Sequence, residues 1–261
     1  MNEKKRTSAR QWTKKSYNIQ KGCEHNCRYC WAASNAHRRG YKKRDVWHKV
    51  DRCKKLPNMP SNTTVMFPST HDITPFNINE YIPALRLLIE RGNKVLVVSK
   101  PHWACISAIC AVMGAFKKDF MFRFSIGSDR QEVLDFWDNG APSFKERLEC
   151  LRIAKEAGFQ TSVSIEPMLD DAAGIMRLVE KVEPYVTDSI WIGKMGMACI
   201  PNKPENKAAK ELLKSYHEPE KIKALVDALI AKYGMKIRIK DKAARLIHVE
   251  QSEDNWHGMV G

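Results

Sequence analysis

Strand-like and helix-like segments alternate along most of the chain, and this alternation constrains the fold more than any other feature. Short apolar runs predict strands at 64–67, 94–98, 120–126, 161–165, 189–192 and 235–239. Segments with helical periodicity lie between them, at 78–91, 103–116, 143–157, 171–182 and 219–233. Such βα units predict a parallel sheet. In a chain of 261 residues, they favour an α/β fold with a single partial (β/α)6 TIM-like barrel.

Polar residues follow these predicted strands directly, where chemistry collects in a parallel barrel. Along the chain they are Ser69, Thr70, His71 and Asp72, then Ser99 and Lys100, then Ser125, Glu166 and Lys194. His71 and Asp72 are candidates for an acid/base pair or a substrate contact, and helix capping is the structural alternative. The sequence therefore predicts a site at the strand ends.

Three cysteines, Cys23, Cys27 and Cys30, crowd into one short loop with the spacing C-x3-C-x2-C. Three thiolates on such a loop can converge on one metal centre. A zinc half-site would usually bring a second Cys/His pair at matching spacing, and the sequence shows none. Three cysteines on a cubane iron–sulfur cluster leave one iron open for a substrate or cofactor. We therefore predict an iron–sulfur loop at 22–31.

The other five cysteines are scattered, and buried free thiols are the expectation for them. No apolar run reaches the roughly 18 residues that a membrane span requires. The first residues lack the apolar core of a signal peptide. We therefore expect a cytoplasmic protein with no membrane partner, in which cysteines serve metal or thiol chemistry.

Positive charge is concentrated around the cysteine loop. Residues 1–55 hold 17 Lys and Arg against 4 Asp and Glu, whereas the other 206 residues hold 27 against 26. This excess fits a nucleic-acid partner or a solvated basic face that helps to hold an anionic cluster or cofactor. Trp31 and Trp47 lie among these cations, where they either stack on unpaired bases or form a small satellite core.

The same composition predicts the domain boundaries. Residues 1–15 are polar and basic, and we expect them to form a flexible arm. The barrel then extends over 16–240, and 241–261 form a C-terminal tail.

The cysteine loop followed by βα units resembles the radical S-adenosylmethionine superfamily, because Cys23, Cys27, Tyr29 and Cys30 each fall on a position of its motif. The resemblance implies a [4Fe–4S] cluster on the three cysteines, with S-adenosylmethionine chelated at the fourth iron and Tyr29 near its adenine. One electron, from a donor such as flavodoxin or ferredoxin, would then cleave the cofactor to a 5′-deoxyadenosyl radical. That radical abstracts hydrogen from a substrate.

Within the superfamily, the chain is most similar to the spore photoproduct lyase-like branch and related phage and bacterial proteins. The segments that carry this similarity are 22–25, 69–72, 98–100, 125 and 164–167. The similarity implies that Lys100 and Ser125 bind the cofactor carboxylate. Ser69, Thr70, Ser99 and Glu166 are further candidates for cofactor contacts, Glu166 through ribose hydroxyls or, alternatively, only in a loop salt bridge.

Two departures from the branch pattern concern the strand end at 68–72. The segment Pro-Ser-Thr-His-Asp stands where the superfamily often has Gly-Gly-Glu, and Ser69 stands where the lyase keeps a hydrogen-donating cysteine. A serine O–H bond is too strong to return a hydrogen atom to a carbon radical. Cys199 is the candidate substitute donor, and a buried loop thiol is the alternative.

The sequence thus predicts a radical S-adenosylmethionine enzyme whose substrate is a nucleic acid or nucleotide, in repair or modification. A radical enzyme acting on a small molecule or peptide is the alternative within enzymes. A non-catalytic iron–sulfur nucleic-acid-binding protein is the alternative outside them.

Overall fold

A parallel sheet organises the computed structural model, which describes residues 11–53 and 57–250. The strands are β1 (Lys15–Ser16), β2 (Gln20–Lys21), β3 (Asp51–Arg52), β4 (Thr64–Met66), β5 (Lys94–Ser99), β6 (Phe120–Ser125), β7 (Gln160–Ile165), β8 (Ile190–Ile192) and β9 (Ile237–Ile239). Seven of them lie parallel in the order β1-β4-β5-β6-β7-β8-β9, and β2 and β3 form an antiparallel pair. The predicted α/β fold with a partial barrel is confirmed. The sheet stays open, since β1 and β9 do not pair in the described part of the chain.

Helices connect the strands and cover the outside of the sheet. They are α1 (Trp31–Arg38), α2 (Ile78–Glu90), α3 (Trp103–Val112), α4 (Gln131–Trp137), α5 (Phe144–Glu156), α6 (Ala172–Val182), α7 (Pro204–Tyr216), α8 (Pro219–Tyr233) and α9 (Asp241–Leu246). The sequence patterns did not predict α4, α7 and α9. Helices α4 and α9 have only 7 and 6 residues, too few to show a clear helical period, and α7 buries only Asn206 and Leu213. Among the described residues, no helix combines the length and apolarity that a membrane span needs.

Side chains alternate between the two faces of the sheet, as the two-residue period of a strand requires. On β5, Val95 and Val97 pack against the outer helices, whereas Leu96 and Val98 face the barrel interior. On β6, Phe120, Phe122 and Phe124 face outward in the same way. The interior cluster consists of Trp12, Met66, Leu96, Val98, Met121 and Trp191.

The interior floor of the barrel also holds two fully buried cations. The Arg123 guanidinium lies 4.7 Å from the ring centre of Trp12 and 5.1 Å from that of Trp191, and its Nε donates to Ser162 Oγ at 2.9 Å. The Lys240 ammonium lies 3.7 Å from the Trp12 ring centre. Cation–π contacts and hydrogen bonds therefore stabilise charge that burial alone would make costly.

The structure places the end of the predicted arm inside the fold. Trp12 fills the barrel floor, and the Gln11 side chain donates to Ile239 O and accepts from Asp241 N, both at 3.2 Å. These hydrogen bonds connect the N-terminal side of the sheet to β9. The expected flexible arm at 1–15 is therefore wrong for residues 11–15; the rest of it lies outside the described residues.

The predicted tail likewise starts within the folded domain. Residues 241–246 form α9, with Asp241, Ala243 and Ala244 buried. Helix α9 directly follows β9, and its alanines pack into the main core at the end of the barrel. The folded barrel domain therefore extends beyond residue 240. Residues 251–261 lie outside the described part.

Candidate active site

The three motif cysteines lie on the loop that joins β2 to α1. Gly22 opens this loop with φ of +102°, and a Cβ there would stand 2.6 Å from Trp47 O. Only glycine fits both the conformation and the close approach. At the other end, Cys30 is the N-cap of α1, and its Sγ accepts from Ala33 N at 3.4 Å. The loop is thus held at both ends.

All three thiols line one cavity of about 520 Å³ at the barrel mouth. Burial raises the pKa of Cys23 and Cys27 well above the usual thiol value and also raises that of Cys30. A buried thiolate needs a compensating cation, and a coordinated metal both supplies that charge and deprotonates the thiol. Three such thiols in one cavity therefore fit an iron–sulfur cluster.

Trp47 packs against the same loop, in a small cluster with Cys23, Cys30 and alanines of α1. Its side chain is 2% exposed. The structure thus favours the satellite-core alternative for Trp47. Trp31, by contrast, is 50% exposed and lines the cavity mouth.

Asp72 is the centre of a polar network beneath the loop. Its Oδ1 accepts from Lys100 N at 2.7 Å and from Ser99 Oγ at 3.2 Å, and its Oδ2 contacts His25 Nδ1 at 2.8 Å. Cys23 Sγ lies 3.8 Å from the same Oδ2. Burial opposes the charge of this carboxylate, yet Lys100 and His25 hold its pKa well below the usual value. Asp72 is therefore an ionised hub, which the sequence did not predict.

His71 is also fixed by backbone groups. Its Nε2 accepts from Ile19 N at 3.4 Å and its Nδ1 donates to Asp72 O at 3.0 Å. Burial lowers its pKa to about 4. The ring is therefore neutral at neutral pH and bonded to the backbone on both nitrogens. This contact differs both from the predicted acid/base role and from helix capping, since the N-cap of α2 is Asn77.

Five of the predicted cofactor contacts besides Tyr29 line the cavity, and one does not. Those on the wall are Ser69, Thr70, Lys100, Ser125 and Glu166. Ser99 lies outside the cavity lining with its side chain buried, and its hydroxyl accepts from Ile73 N at 2.9 Å while donating to Asp72. Ser99 thus positions Asp72 instead of facing a ligand.

Other residues hold these wall side chains in place. The Asn18 amide oxygen accepts from the backbone N–H groups of Ser69 and Thr70, both at 2.9 Å. Lys240 Nζ lies 3.7 Å from Glu166 Oε2. Glu166 therefore forms a salt bridge, which is the alternative to binding ribose hydroxyls. Its partner is the buried Lys240, and the Glu166 carboxylate still lines the cavity.

Tyr29 lines the same cavity beside Lys100, whose Nζ lies 5.7 Å from its ring centre. Beneath it, Asp138 and Arg147 form a fully buried ion pair at 2.9 Å. Burial raises the pKa of Tyr29 well above the usual phenol value, and the nearby Asp138 charge raises it further. Tyr29 is therefore a neutral phenol.

The far side of the mouth carries residues that strand patterning did not single out. Cys199 lines the cavity, and its carbonyl accepts from Ser34 Oγ at 3.0 Å. Lys194, which the sequence did place at a strand end, is joined there by Lys242 and Arg245 of α9. Only the packing of α9 across the barrel brings these last two to the site.

A partial parallel barrel that gathers three buried thiols with lysine, serine and glutamate side chains defines an iron–sulfur enzyme with a cofactor pocket. The model of the Radical SAM superfamily matches residues 17–171, and the chain belongs to that superfamily. It is an enzyme of the radical S-adenosylmethionine class, with a [4Fe–4S] cluster and S-adenosylmethionine as cofactors.

Solved structures share the fold at low sequence identity. Spore photoproduct lyase complexed with dinucleoside spore photoproduct is 14% identical, with a TM-score of 0.58 over 86% of this chain and 75% of that one. Streptococcus suis SuiB bound to precursor peptide SuiA is 10% identical, with a TM-score of 0.51 over 92% of this chain and 53% of that one. No curated protein matches the chain in sequence.

Proposed function

We propose that Cys23, Cys27 and Cys30 hold the cluster and that the cavity beside them holds S-adenosylmethionine. When bound, this pair supplies a reductive cleavage that yields a 5′-deoxyadenosyl radical. The observation that supports the assignment is the single cavity shared by the three thiols, Lys100 and Glu166. A cluster-binding protein without catalysis has no need of such a pocket.

Each wall residue has a defined task in this proposal. Lys100 pairs with the cofactor carboxylate through a charge-assisted contact, and Asp72 keeps the lysine backbone and ammonium in place. Ser125 adds a hydroxyl at the end of β6. Glu166, fixed by Lys240, accepts from ribose hydroxyls. Apolar side chains of the barrel interior exclude water from the reacting carbon.

Cys199 is the proposed hydrogen donor. Cys199 lines the cavity. Ser69 Oγ instead accepts from Asn18 Nδ2 at 3.0 Å, and its O–H bond is too strong to donate a hydrogen atom to a carbon radical. Transfer of a hydrogen atom from Cys199 to the substrate radical forms a C–H bond and leaves a thiyl radical. One electron from the reductant and one proton then restore the thiol.

Deuterium labelling tests this donor. In D₂O the thiol exchanges its proton, so the product should carry one solvent deuterium, read by mass spectrometry. Cys199→Ala should abolish that label. Cys53→Ala is the matched control, since Cys53 lies outside the cavity wall. Equal labelling in Cys199→Ala would exclude this residue as donor.

A nucleic acid or nucleotide is the proposed substrate, and the exposed side of α1 supports it. Trp31 is exposed and lines the cavity mouth, and Arg38, Arg39 and Lys43, later in the same stretch of chain, are exposed cations. Exposed rings and cations of this kind can stack on bases and neutralise phosphates. The fold likeness to a lyase complexed with a dinucleoside lesion is consistent with this choice. The likeness to SuiB bound to a peptide makes a peptide the alternative substrate.

Two measurements test the proposed function. Anaerobically reconstituted, dithionite-reduced protein should convert S-adenosylmethionine into 5′-deoxyadenosine, and a single-stranded oligonucleotide should accelerate this. Trp31→Ala should weaken oligonucleotide binding by about 1–3 kcal/mol. Trp103→Ala is the control, since Trp103 is 52% exposed on α3 and does not line the cavity.

The outcomes separate the alternatives. Oligonucleotide binding without 5′-deoxyadenosine from protein with an intact cluster would favour the non-catalytic binder. Acceleration by peptides alone would favour the peptide alternative and contradict a nucleic-acid substrate.

A further inference from the structure

Two lysines at the cavity mouth lack the counter-ions that the other cations there possess. Each carboxylate that lines the cavity is in an ion pair: Asp72 with Lys100 at 3.7 Å, Glu166 with Lys240 at 3.7 Å, and Asp241 with Arg245 at 2.9 Å. Lys194 and Lys242 line the same cavity. Neither ammonium forms an ion pair with a carboxylate of residues 11–53 or 57–250. The mouth therefore carries two uncompensated positive charges.

These two ammonium groups come from different parts of the fold. Lys194 follows β8, and Lys242 belongs to α9. Burial and then the charge of Lys242 lower the pKa of Lys194, so the two cations repel each other across a shared space. Lys242 Nζ stands 3.7 Å from the point that a Cβ on Gly196 would occupy. A bound anion would relieve this repulsion.

The cofactor cannot be that anion. S-adenosylmethionine has a sulfonium and an amino group against one carboxylate, so its net charge is zero or positive. Its carboxylate is already assigned to Lys100 in the proposed function. Two further lysines would repel the sulfonium of the cofactor, which favours a second, anionic ligand in the same cavity as their partner.

We propose that Lys194 and Lys242 bind a phosphate group of the substrate. This inference rests on the proposed function, because it needs the cofactor in the same cavity. A phosphate presents several acceptor oxygens and full negative charge to two ammonium groups. The shared chemistry is that of a nucleotide monophosphate or of a nucleic-acid phosphodiester.

The site also relates the phosphate to the reacting end of the substrate. Cys199 Sγ stands 3.7 Å from the same Gly196 point as Lys242 Nζ. A phosphate held there lies beside the proposed donor thiol, and Trp31 lies on the same cavity wall for the base. The proposed donor thiol therefore lies close to the phosphate that these lysines bind.

Binding measured without reductant tests the site independently of radical chemistry. The probe is a fluorescent twelve-nucleotide oligothymidylate, titrated by anisotropy into the cluster-containing full chain at several salt concentrations. Each lysine that neutralises a phosphate contributes about 0.7 to the slope of log K against log salt for a single strand. Lys194→Gln and Lys242→Gln should each lower the slope by about 0.7, and the double variant by about 1.4. Lys207→Gln, on the exposed part of α7, is the control for general charge loss.

Competition identifies the source of the phosphate. Displacement by thymidine monophosphate, but not by thymidine, would support a free nucleotide, and displacement only by an unlabelled oligonucleotide would support a nucleic acid. A slope in the double variant equal to that of Lys207→Gln, with the cluster absorbance intact, would overturn the proposal. Its failure is distinct from that of the proposed function, since 5′-deoxyadenosine formation is measured separately on the wild-type protein.

Discussion

Asp72→Asn is the substitution that most directly tests the network beneath the cluster loop. The change keeps the shape of the side chain and one carbonyl oxygen. That oxygen can still accept from Lys100 N, which lies 2.7 Å from Asp72 Oδ1. The amide cannot replace the charge that faces Lys100 Nζ, nor the oxygen that faces His25 Nδ1 at 2.8 Å.

The expected loss of stability follows from these contacts. A hydrogen bond to a charged group contributes about 1.5–3 kcal/mol, and removing one partner of a buried ion pair costs about 3–5 kcal/mol. Because Asp72 and Lys100 each keep 13% of their side-chain exposure, water screens part of the pair. We therefore expect the free energy of unfolding to fall by about 3 kcal/mol.

Anaerobic urea unfolding of the reconstituted protein, followed by far-UV circular dichroism, measures this loss. For a slope of about 3 kcal/mol per molar urea, the midpoint should fall by about 1 M. Asp51→Asn is the matched control, because the Asp51 carboxylate pairs with Lys42 at 2.6 Å but is 68% exposed. It should lose less than about 1 kcal/mol. Equal midpoints for the two variants would refute the assignment of Asp72 as the hub.

Three further predictions concern the loop and the protein's pH dependence. Cys27→Ala should abolish both the brown cluster absorbance and 5′-deoxyadenosine formation, whereas Cys110→Ala, outside the cavity, should keep both. Gly140→Ala should reduce cluster retention on gel filtration, because its Cβ would stand 2.7 Å from His25 O; retention equal to wild type would contradict this contact. Burial lowers the pKa of His217 to about 4, so the folded ring stays neutral while the unfolded ring takes up a proton below about 6.5. Its contribution is present above that pH and falls by about 3 kcal/mol as pH drops to 4, a dependence that His217→Gln should remove from unfolding curves recorded at several pH values.

Much of the cavity wall follows from the two-residue period of the strands. Leu96 and Val98 face the interior, so Lys100 continues their side of the strand, whereas Ser99 falls on the opposite side. The same period aligns Ser125 with Met121 on β6. Ser99 is a candidate in the sequence because it lies at the end of a predicted strand, in a segment that carries the family similarity. The alternation of side chains along β5 places Ser99 on the face away from the cavity and would have excluded it as a cofactor contact.

The catalytic assignment of His71 shows a different limit. A histidine next to an aspartate at a strand end is a reasonable acid/base candidate in the sequence. Whether its ring nitrogens face a ligand or the backbone depends on where Ile19 passes, and the chain brings that backbone N–H to the ring. The identity of the residue carries no information about this contact.

The class of chemistry and the type of fold follow from local patterns in the sequence. The cysteine spacing and the strand and helix periods are local, so they are legible before the chain folds. Which distant side chains share the site depends on how the folded chain packs. Trp12 reaches the barrel floor beside Lys240, and α9 brings Lys242 to the mouth near Lys194. These contacts join residues that are far apart along the chain. They form only when the two ends of the open sheet pack around one interior, and such packing leaves no local pattern in the sequence.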